Sequence, residues 1–286
     1  MDKSIFSGKN VIIQGITGSQ GLFHARNMVA YGTPVIAGTS PTKAGTEVDG
    51  IPVYASIKDI QDNHSVDISV IFVPAPHAKG AILEAIEANV PLIVCITEHI
   101  PVHDMIAVRE RLAHSRSRLI GPNSPGVLIP GLQLLGITPA ALSIPGDTAV
   151  VSRSGTLTYE AMDLLTRHGF GQKYVIGIGG DMVRGTSFVD CLAMFEQDPE
   201  VKRIVMIGEI GGTDEIEAAD YIAQRVSKPV YAYIAGYSAP LGVRMGHAGA
   251  ILGTNTDESA AAKTARLRAA GAVTAESLSE LIVKLV

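Results

Sequence analysis

The chain has 286 residues, of which 47% are apolar and 18% are charged, with a formal net charge of −5. This length suits one large or two ordinary domains, and the charge balance argues against a nucleic-acid surface. Its apolar runs stay below the ~18 residues of a membrane span, and its two cysteines fit a reducing compartment. We therefore expect a cytoplasmic protein that binds neither membrane nor nucleic acid, although a mitochondrial-matrix protein that had lost its transit peptide would look the same.

The first half opens with a glycine-rich turn. An apolar run at residues 10–14 leads into Gly15, Gly18 and Gly21, followed by a helical pattern to about residue 31. A strand, such a turn and a helix open a nucleotide-binding βαβ unit, in which free amides at the helix start hold a phosphate. The glycine spacing differs from the standard dinucleotide fingerprint, so a tight turn without a ligand is the alternative.

The loop after the second predicted strand, at residues 35–38, contains Lys43. NAD enzymes usually have an acidic residue at the end of this strand. The lysine favours a ligand with an extra phosphate at the ribose, such as coenzyme A (CoA), over NAD. A solvated loop lysine is the alternative.

His99 and His103 have the spacing of a helical metal pair. Pro101 between them disfavours a continuous helix, so we predict no metal site. Further strands of the first half are predicted at residues 68–73, 91–97 and 119–120.

Proline and glycine recur between residues 121 and 147, which we interpret as an ordered linker with a boundary near residues 145–146. Strands then alternate with helices again, at residues 148–152, 175–178, 201–208 and 229–235. This alternation predicts an α/β protein with two parallel-sheet domains. The predicted divisions are residues 1–123, the linker 124–147, and residues 148–286.

Three loops of the second half, at residues 152–156, 208–212 and 242–250, all follow predicted strands, so they should meet at one sheet edge. Ser154, Gly155 and Thr156 begin a helix and offer amides and hydroxyls to a phosphate. His247 lies among glycines, and an imidazole whose far nitrogen is held by a carboxylate can accept a phosphoryl group. We predict that Glu209 orients His247 for this purpose. The alternatives are a structural histidine and a strand-end salt bridge.

Taken together, these motifs resemble the family of alpha subunits of succinyl-CoA synthetase, a ligase of the citric acid cycle. The resemblance extends over nearly the whole chain, with its longest segments at residues 15–21, 73–76, 96–98, 121–123, 152–160, 177–181, 208–212 and 244–249. It implies an N-terminal Rossmann-like domain and a C-terminal flavodoxin-like parallel α/β domain. The first domain would bind CoA through Thr17, Gly18, Ser19, Gln20, Lys43, Pro74, Ile96, Thr97 and Glu98. The resemblance also implies an acid site lined by Tyr159 and Asn123, beside a phosphohistidine at His247.

The resemblance further implies a heteromer. ATP or GTP and Mg²⁺ would be bound by a separate beta subunit with an ATP-grasp domain, in a heterodimer or heterotetramer. The acid, CoA and nucleoside triphosphate would reversibly give acyl-CoA, nucleoside diphosphate and phosphate. The alternatives are a related ligase that uses malate or another carboxylate, and a CoA-binding subunit that has lost turnover.

The chain departs from the family pattern at several positions. Thr42 and Ala44 replace glycines beside the predicted CoA lysine, His99 replaces a glycine, and Ser124 replaces a cysteine. Residues 182–184, Met-Val-Arg, replace a proline-rich turn. The new arginine would suit a different dicarboxylate or the partner subunit, with a solvent-facing side chain as the alternative.

Overall fold

The computed structural model describes residues 2–6 and 10–285. In chain order the strands are β1 (Val11–Gln14), β2 (Val35–Thr39), β3 (Glu47–Val48), β4 (Ile51–Tyr54), β5 (Ile68–Ile71), β6 (Leu92–Cys95), β7 (Arg118–Ile120), β8 (Gly126–Ile129), β9 (Gln133–Gly136), β10 (Pro145–Ser152), β11 (Gln172–Gly177), β12 (Arg203–Glu209), β13 (Val230–Ala235) and β14 (Val273–Thr274). The α-helices are α1 (Ser19–Ala30), α2 (Ile57–Gln61), α3 (Ala75–Glu87), α4 (Val102–Ala113), α5 (Gly155–Arg167), α6 (Phe188–Gln197), α7 (Asp214–Arg225), α8 (Ala260–Ala269) and α9 (Leu278–Val283). In the described part of the chain, no helix is long and apolar enough to cross a membrane.

The first sheet has the strand order β3-β4-β2-β1-β5-β6-β7. It is parallel except where β3 pairs with β4. Strands β1, β5 and β6 are buried along their whole length, as expected for a parallel sheet covered on both faces. The strand order reverses between β1 and β5, and in such sheets ligands bind in the crevice at that point.

The second sheet has the order β14-β13-β12-β10-β11-β8-β9. Its parallel part, from β14 to β11, has the 2-1-3-4-5 order of flavodoxin-like folds. The antiparallel hairpin of β8 and β9 extends one edge. The predicted Rossmann-like and flavodoxin-like sheets are both confirmed.

The hairpin lies inside the segment predicted as a linker, residues 124–147. Strand β8 pairs with β11, so these residues belong to the second sheet. Close approach explains the glycines: a Cβ on Gly126 would lie 2.0 Å from the carbonyl oxygen of Leu135. The hairpin also contacts the first domain, because the hydroxyl of Thr33 donates to the carbonyl of Leu134 at 2.8 Å. The predicted linker residues therefore join the two domains by hydrogen bonds as well as by the chain.

Candidate active site

Two cavities that share lining residues lie at the crevice of the first sheet and beside the second domain. The first has a volume of about 790 Å³ and lies over the glycine-rich turn. The second, about 560 Å³, is lined by residues of both domains, including His247 and Tyr159. Residues Gln20, Phe72, Val73 and Pro74 line both. A continuous cleft thus leads from the start of α1 to His247.

The residues expected to contact CoA are distributed along this cleft. The first cavity is lined by Thr17, Gly18, Ser19, Gln20 and Pro74, and the second by Ile96, Thr97 and Glu98. Lys43 is exposed and lies one residue beyond the cavity-lining Thr42. From this position the ammonium group of Lys43 can attract an anionic part of a ligand that extends out of the cavity.

The glycine-rich turn holds α1 tightly against β1. A Cβ on Gly21 would lie 2.2 Å from the carbonyl oxygen of Gly15, which itself has a φ of 85°. The turn therefore needs glycine at both positions. Helix α1 starts directly at the cavity, and the first amides of a helix have no partner within it. This is the arrangement in which a helix start binds phosphate.

His247 and Glu209 form the predicted pair. The imidazole Nδ1 of His247 lies 2.9 Å from Oε2 of Glu209, which ends β12. The side chain of His247 is 24% exposed, whereas that of Glu209 is 7% exposed. With Nδ1 donating to Glu209, Nε2 is the ring nitrogen with a free lone pair.

The ring of His247 rests on a glycine. A Cβ on Gly180 would lie 2.3 Å from Cγ of His247, so any other residue would displace the imidazole. The amide of Gly249 donates to the carbonyl of Gly180 at 3.0 Å and ties the two loops together. The loop of His247 is thereby fixed to the loop after β11.

A buried network of charges supports Glu209. Nε of Arg153 lies 3.2 Å from Oε1 of Glu209, an ion pair without hydrogen-bond geometry, and Nη1 of Arg153 donates to Glu215 at 3.0 Å. Glu215 also accepts from the amide of Glu209 and from Lys263. Burial alone would raise the pKa of Glu215, but Arg153 and Lys263 lower it below its ordinary value. The ionised network fixes both the backbone and the carboxylate of Glu209.

The predicted phosphate loop lies on the same cavity as His247. Gly155, Thr156 and Tyr159 line that cavity at the start of α5. Ser154 is buried and caps the helix, because its hydroxyl accepts from the amide of Leu157 at 3.3 Å. Burial raises the pKa of Tyr159, which keeps its hydroxyl protonated.

Asn123 also lines the cavity of His247, and its amide donates to Asp181 at 2.9 Å. Ser124 donates to the carbonyl of Gly177 in β11 at 2.5 Å, so it braces the second sheet. Glu98 and His99 are exposed at the rim, with 3.4 Å between Oε1 of Glu98 and Nε2 of His99.

Sequence reasoning missed His24. Its ring stacks on Phe72 with 5.5 Å between ring centroids, and both residues line the cavity of His247. Burial lowers the pKa of His24 and favours the neutral imidazole. A signal was available, since His24 lies four residues after Gln20 and therefore on the same face of α1.

The geometry predicts the titration of His247. The hydrogen bond that Nδ1 of His247 donates to Glu209 raises the pKa of His247 above 6.5, against the opposing effects of burial and Arg153. We expect Glu209→Gln to lower this pKa, because the uncharged amide stabilises imidazolium less. Nuclear magnetic resonance of labelled histidines across pH measures the shift. Asp220→Asn, at an exposed acid on α7, should leave the pKa of His247 unchanged; an unchanged pKa in Glu209→Gln would contradict the pairing.

Two family models match the chain. The model described as a CoA binding domain matches residues 6–99, and the model described as CoA-ligase matches residues 151–273. These ranges cover the glycine-rich turn in the first domain and the pair of Glu209 and His247 in the second.

Solved structures share the fold. ATP citrate lyase from Methanothrix soehngenii, in complex with citrate and coenzyme A, superposes with a TM-score of 0.89 at 24% identity. That match covers 98% of this chain and 50% of the other, so this chain spans half the length of the lyase. The dinucleotide-forming acetyl-coenzyme A synthetase 1 of Ca. Korarchaeum cryptofilum gives a TM-score of 0.79 at 23% identity, covering 98% and 60%.

Relatives match at higher identity over nearly their whole length. The ADP-forming succinate–CoA ligase subunit alpha of Staphylococcus epidermidis is 48% identical over 97% of this chain and 92% of the relative. For the same subunit of Aquifex aeolicus the identity is 50%, over 95% and 89%. Subunit alpha 2 of Archaeoglobus fulgidus is 52% identical over 92% and 91%. This chain therefore belongs to the family of succinate–CoA ligase (succinyl-CoA synthetase) alpha subunits.

Proposed function

We propose that this chain is the alpha subunit of an ADP-forming succinate–CoA ligase. Together with a beta subunit it would reversibly form succinyl-CoA from succinate, CoA and ATP, through an acyl phosphate and a phosphohistidine at His247. One observation carries this proposal: His247 is paired with Glu209 at 2.9 Å, on a cleft that continues to the glycine-rich turn. The names of the relatives support succinate and ADP.

The chain's own residues suit CoA. Each of the two cavities falls in the size range of small-molecule and cofactor sites. Together they run from a helix start, which favours phosphate, to the catalytic pair. In this proposal Thr17, Ser19 and Gln20 hold the pyrophosphate, and Lys43 pairs with a further phosphate at the rim. The thiol arm then extends along Phe72 and Ile96 towards His247.

His247 would act as the phosphoryl carrier. Nε2 attacks the phosphorus of the terminal phosphate, so that a nitrogen–phosphorus bond forms and the bond to the departing diphosphate breaks. Glu209 keeps Nδ1 protonated and stabilises the positive charge that the ring gains. A carboxylate oxygen of succinate then attacks the same phosphorus, which frees Nε2 and gives succinyl phosphate.

The thioester would form in the shared cavity. The sulfur of CoA attacks the acyl carbon of succinyl phosphate, the bond from that carbon to the phosphate oxygen breaks, and the departing phosphate takes up the thiol proton. The products are succinyl-CoA and inorganic phosphate. Asn123 and Tyr159 line this cavity and are assigned to the acid, while Ser154, Gly155 and Thr156 form the helix start that receives the phosphate.

ATP and Mg²⁺ would be held by a beta subunit with an ATP-grasp domain. The words "subunit alpha" in the names of the relatives support a partner subunit. The metal would neutralise the negative charge of the triphosphate while its terminal phosphoryl group is transferred. The exposed side of His247 is where such a partner would deliver the phosphoryl group.

Phosphoryl labelling tests the proposal. The chain is co-expressed with its beta subunit and incubated with γ-labelled ATP. We expect label on the alpha chain that is acid-labile and base-stable, located by mass spectrometry on the peptide of His247. Succinate and CoA together should discharge it into inorganic phosphate and succinyl-CoA, and malate or citrate should not replace succinate. Acid-stable label, or label that succinate and CoA leave in place, would refute the assignment.

A further inference from the structure

Arg184 is a buried cation that the proposed reaction does not use. Its side chain is 7% exposed, and it forms an ion pair with Asp214 at the start of α7. Its guanidinium also donates to the backbone carbonyl of Asp181, which closes the loop after β11 on itself. The sequence had suggested a contact with substrate, partner or solvent, and the structure instead buries the arginine between two parts of the same domain.

The loop that Arg184 closes supports His247. Gly180, one residue before Asp181, lies directly under the imidazole and accepts a hydrogen bond from the amide of Gly249. On its other side the loop contacts the first domain, because Asn123 donates to Asp181 and the amide of Gly185 donates to the carbonyl of Gly121. Residues 179–185 thus lie between the CoA-binding domain and the histidine.

The partner of Arg184 lies next in the chain to the buried charge network behind Glu209. Asp214 immediately precedes Glu215, which accepts hydrogen bonds from the amide of Glu209 and from Arg153. Arg184 therefore connects the loop under the imidazole to the helix start behind the carboxylate that orients it.

We propose that Arg184 is a positioning residue that clamps residues 179–185 to the start of α7, so that the imidazole of His247 is held between Gly180 and Glu209. This role rests on the proposed function of His247.

The position of Arg184 argues against a direct contact with the acid substrate. Arg184 is not among the residues that line the cavity of His247. Its Nη1 and Nη2 are already used by Asp181 and Asp214, and its Nε finds no acceptor among the described residues. Burial and the nearby Arg153 lower the pKa of Arg184 to about 10, so the clamp keeps its charge at neutral pH.

The first test reads the imidazole itself and needs no phosphoryl transfer. The full chain is labelled with ¹⁵N-histidine, and His247→Asn assigns the signals of His247. Above the pKa of His247, the wild type should show one protonated nitrogen and one unprotonated nitrogen as separate resonances, because Glu209 fixes the tautomer. We expect the two resonances to move towards each other in Arg184→Met, and Arg184→Lys to restore part of the separation.

The second test measures the rate of label uptake in the complex with the beta subunit. A displacement of about 1 Å can cost on the order of 10²-fold in rate, so we expect a loss of up to that size in Arg184→Met with unchanged affinity for CoA. Asp214→Asn removes the same ion pair but keeps the arginine, so it replaces Arg184→Met as the test variant if Arg184→Met does not fold. It should show the same approach of the two resonances and the same loss of label rate. Arg225→Met, at an exposed arginine on α7, is the matched control and should match the wild type.

The outcomes separate the two proposals. Wild-type resonances and wild-type label rates in Arg184→Met, or in Asp214→Asn where the first does not fold, would overturn the clamp. A wild type that takes no label refutes the proposed function, and the resonance test then still decides whether Arg184 positions the ring.

Discussion

Replacement of His247 by asparagine is expected to abolish phosphoryl uptake and thioester synthesis, with a fall in turnover on the order of 10⁴-fold or more. The carboxamide nitrogen of asparagine can still donate to Glu209 from near the position of Nδ1. The carboxylate of Glu209 therefore keeps a hydrogen-bond donor in the variant. It has no counterpart of Nε2, which is the atom assigned as nucleophile.

Two measurements check this expectation. Turnover is followed by the coupled release of ADP, and CoA binding by calorimetry, which should give an unchanged dissociation constant because the glycine-rich turn is unaltered. His64→Asn, at an exposed histidine of the first domain, is the control and should keep full activity. Turnover in His247→Asn within tenfold of the wild type would rule out a phosphohistidine at this position.

Replacement of Glu215 by glutamine is expected to lower the free energy of unfolding by about 3–5 kcal/mol. Glu215 is fully buried and is the carboxylate shared by Arg153 and Lys263, whose side chains are 2% and 0% exposed. The neutral amide cannot balance two buried cations. The loss should exceed that of any single surface ion pair, which contributes about 0–1 kcal/mol.

Urea unfolding followed by circular dichroism measures this loss, with Glu217→Gln, at an exposed acid on the same helix, as the control. Folding lowers the pKa of Glu215 below its ordinary value of 4.5. The carboxylate of Glu215 therefore contributes its full share to the free energy of unfolding above pH 4.5, and this share is lost as the pH falls through the lower pKa of the folded state. The difference between wild type and variant should therefore shrink in acid. A difference below about 1 kcal/mol at neutral pH would mean that the network is dispensable.

The sequence was most informative where strands end. Glycines follow β1, Ser154 follows β10 and Glu209 ends β12. Since parallel strands place their carboxyl ends at one edge, the meeting of Glu209 with His247 could be predicted before any distance was known. The glycines around His247 indicated a close approach, and Gly249 makes one with the loop of Gly180.

Short elements without clear periodicity, and ion pairs between residues in different elements, could not be predicted. Short β3, β4 and α2 fall in a segment with little periodicity and were missed. Arg184 looked like a free cation because Asp214, thirty residues further on, gives no sign in the sequence that it will be its partner. The same holds for Lys263 and Glu215, whose pairing depends on the packing of α8 against α7.

The hairpin of β8 and β9 limits where this chain can be divided into two independent halves. It belongs to the second sheet by pairing, while Thr33 and Tyr31 from the first domain bond to Leu134 and Gly131 within it. If the chain were divided at residue 123, the CoA-binding half would lose β9, the strand that packs against α1.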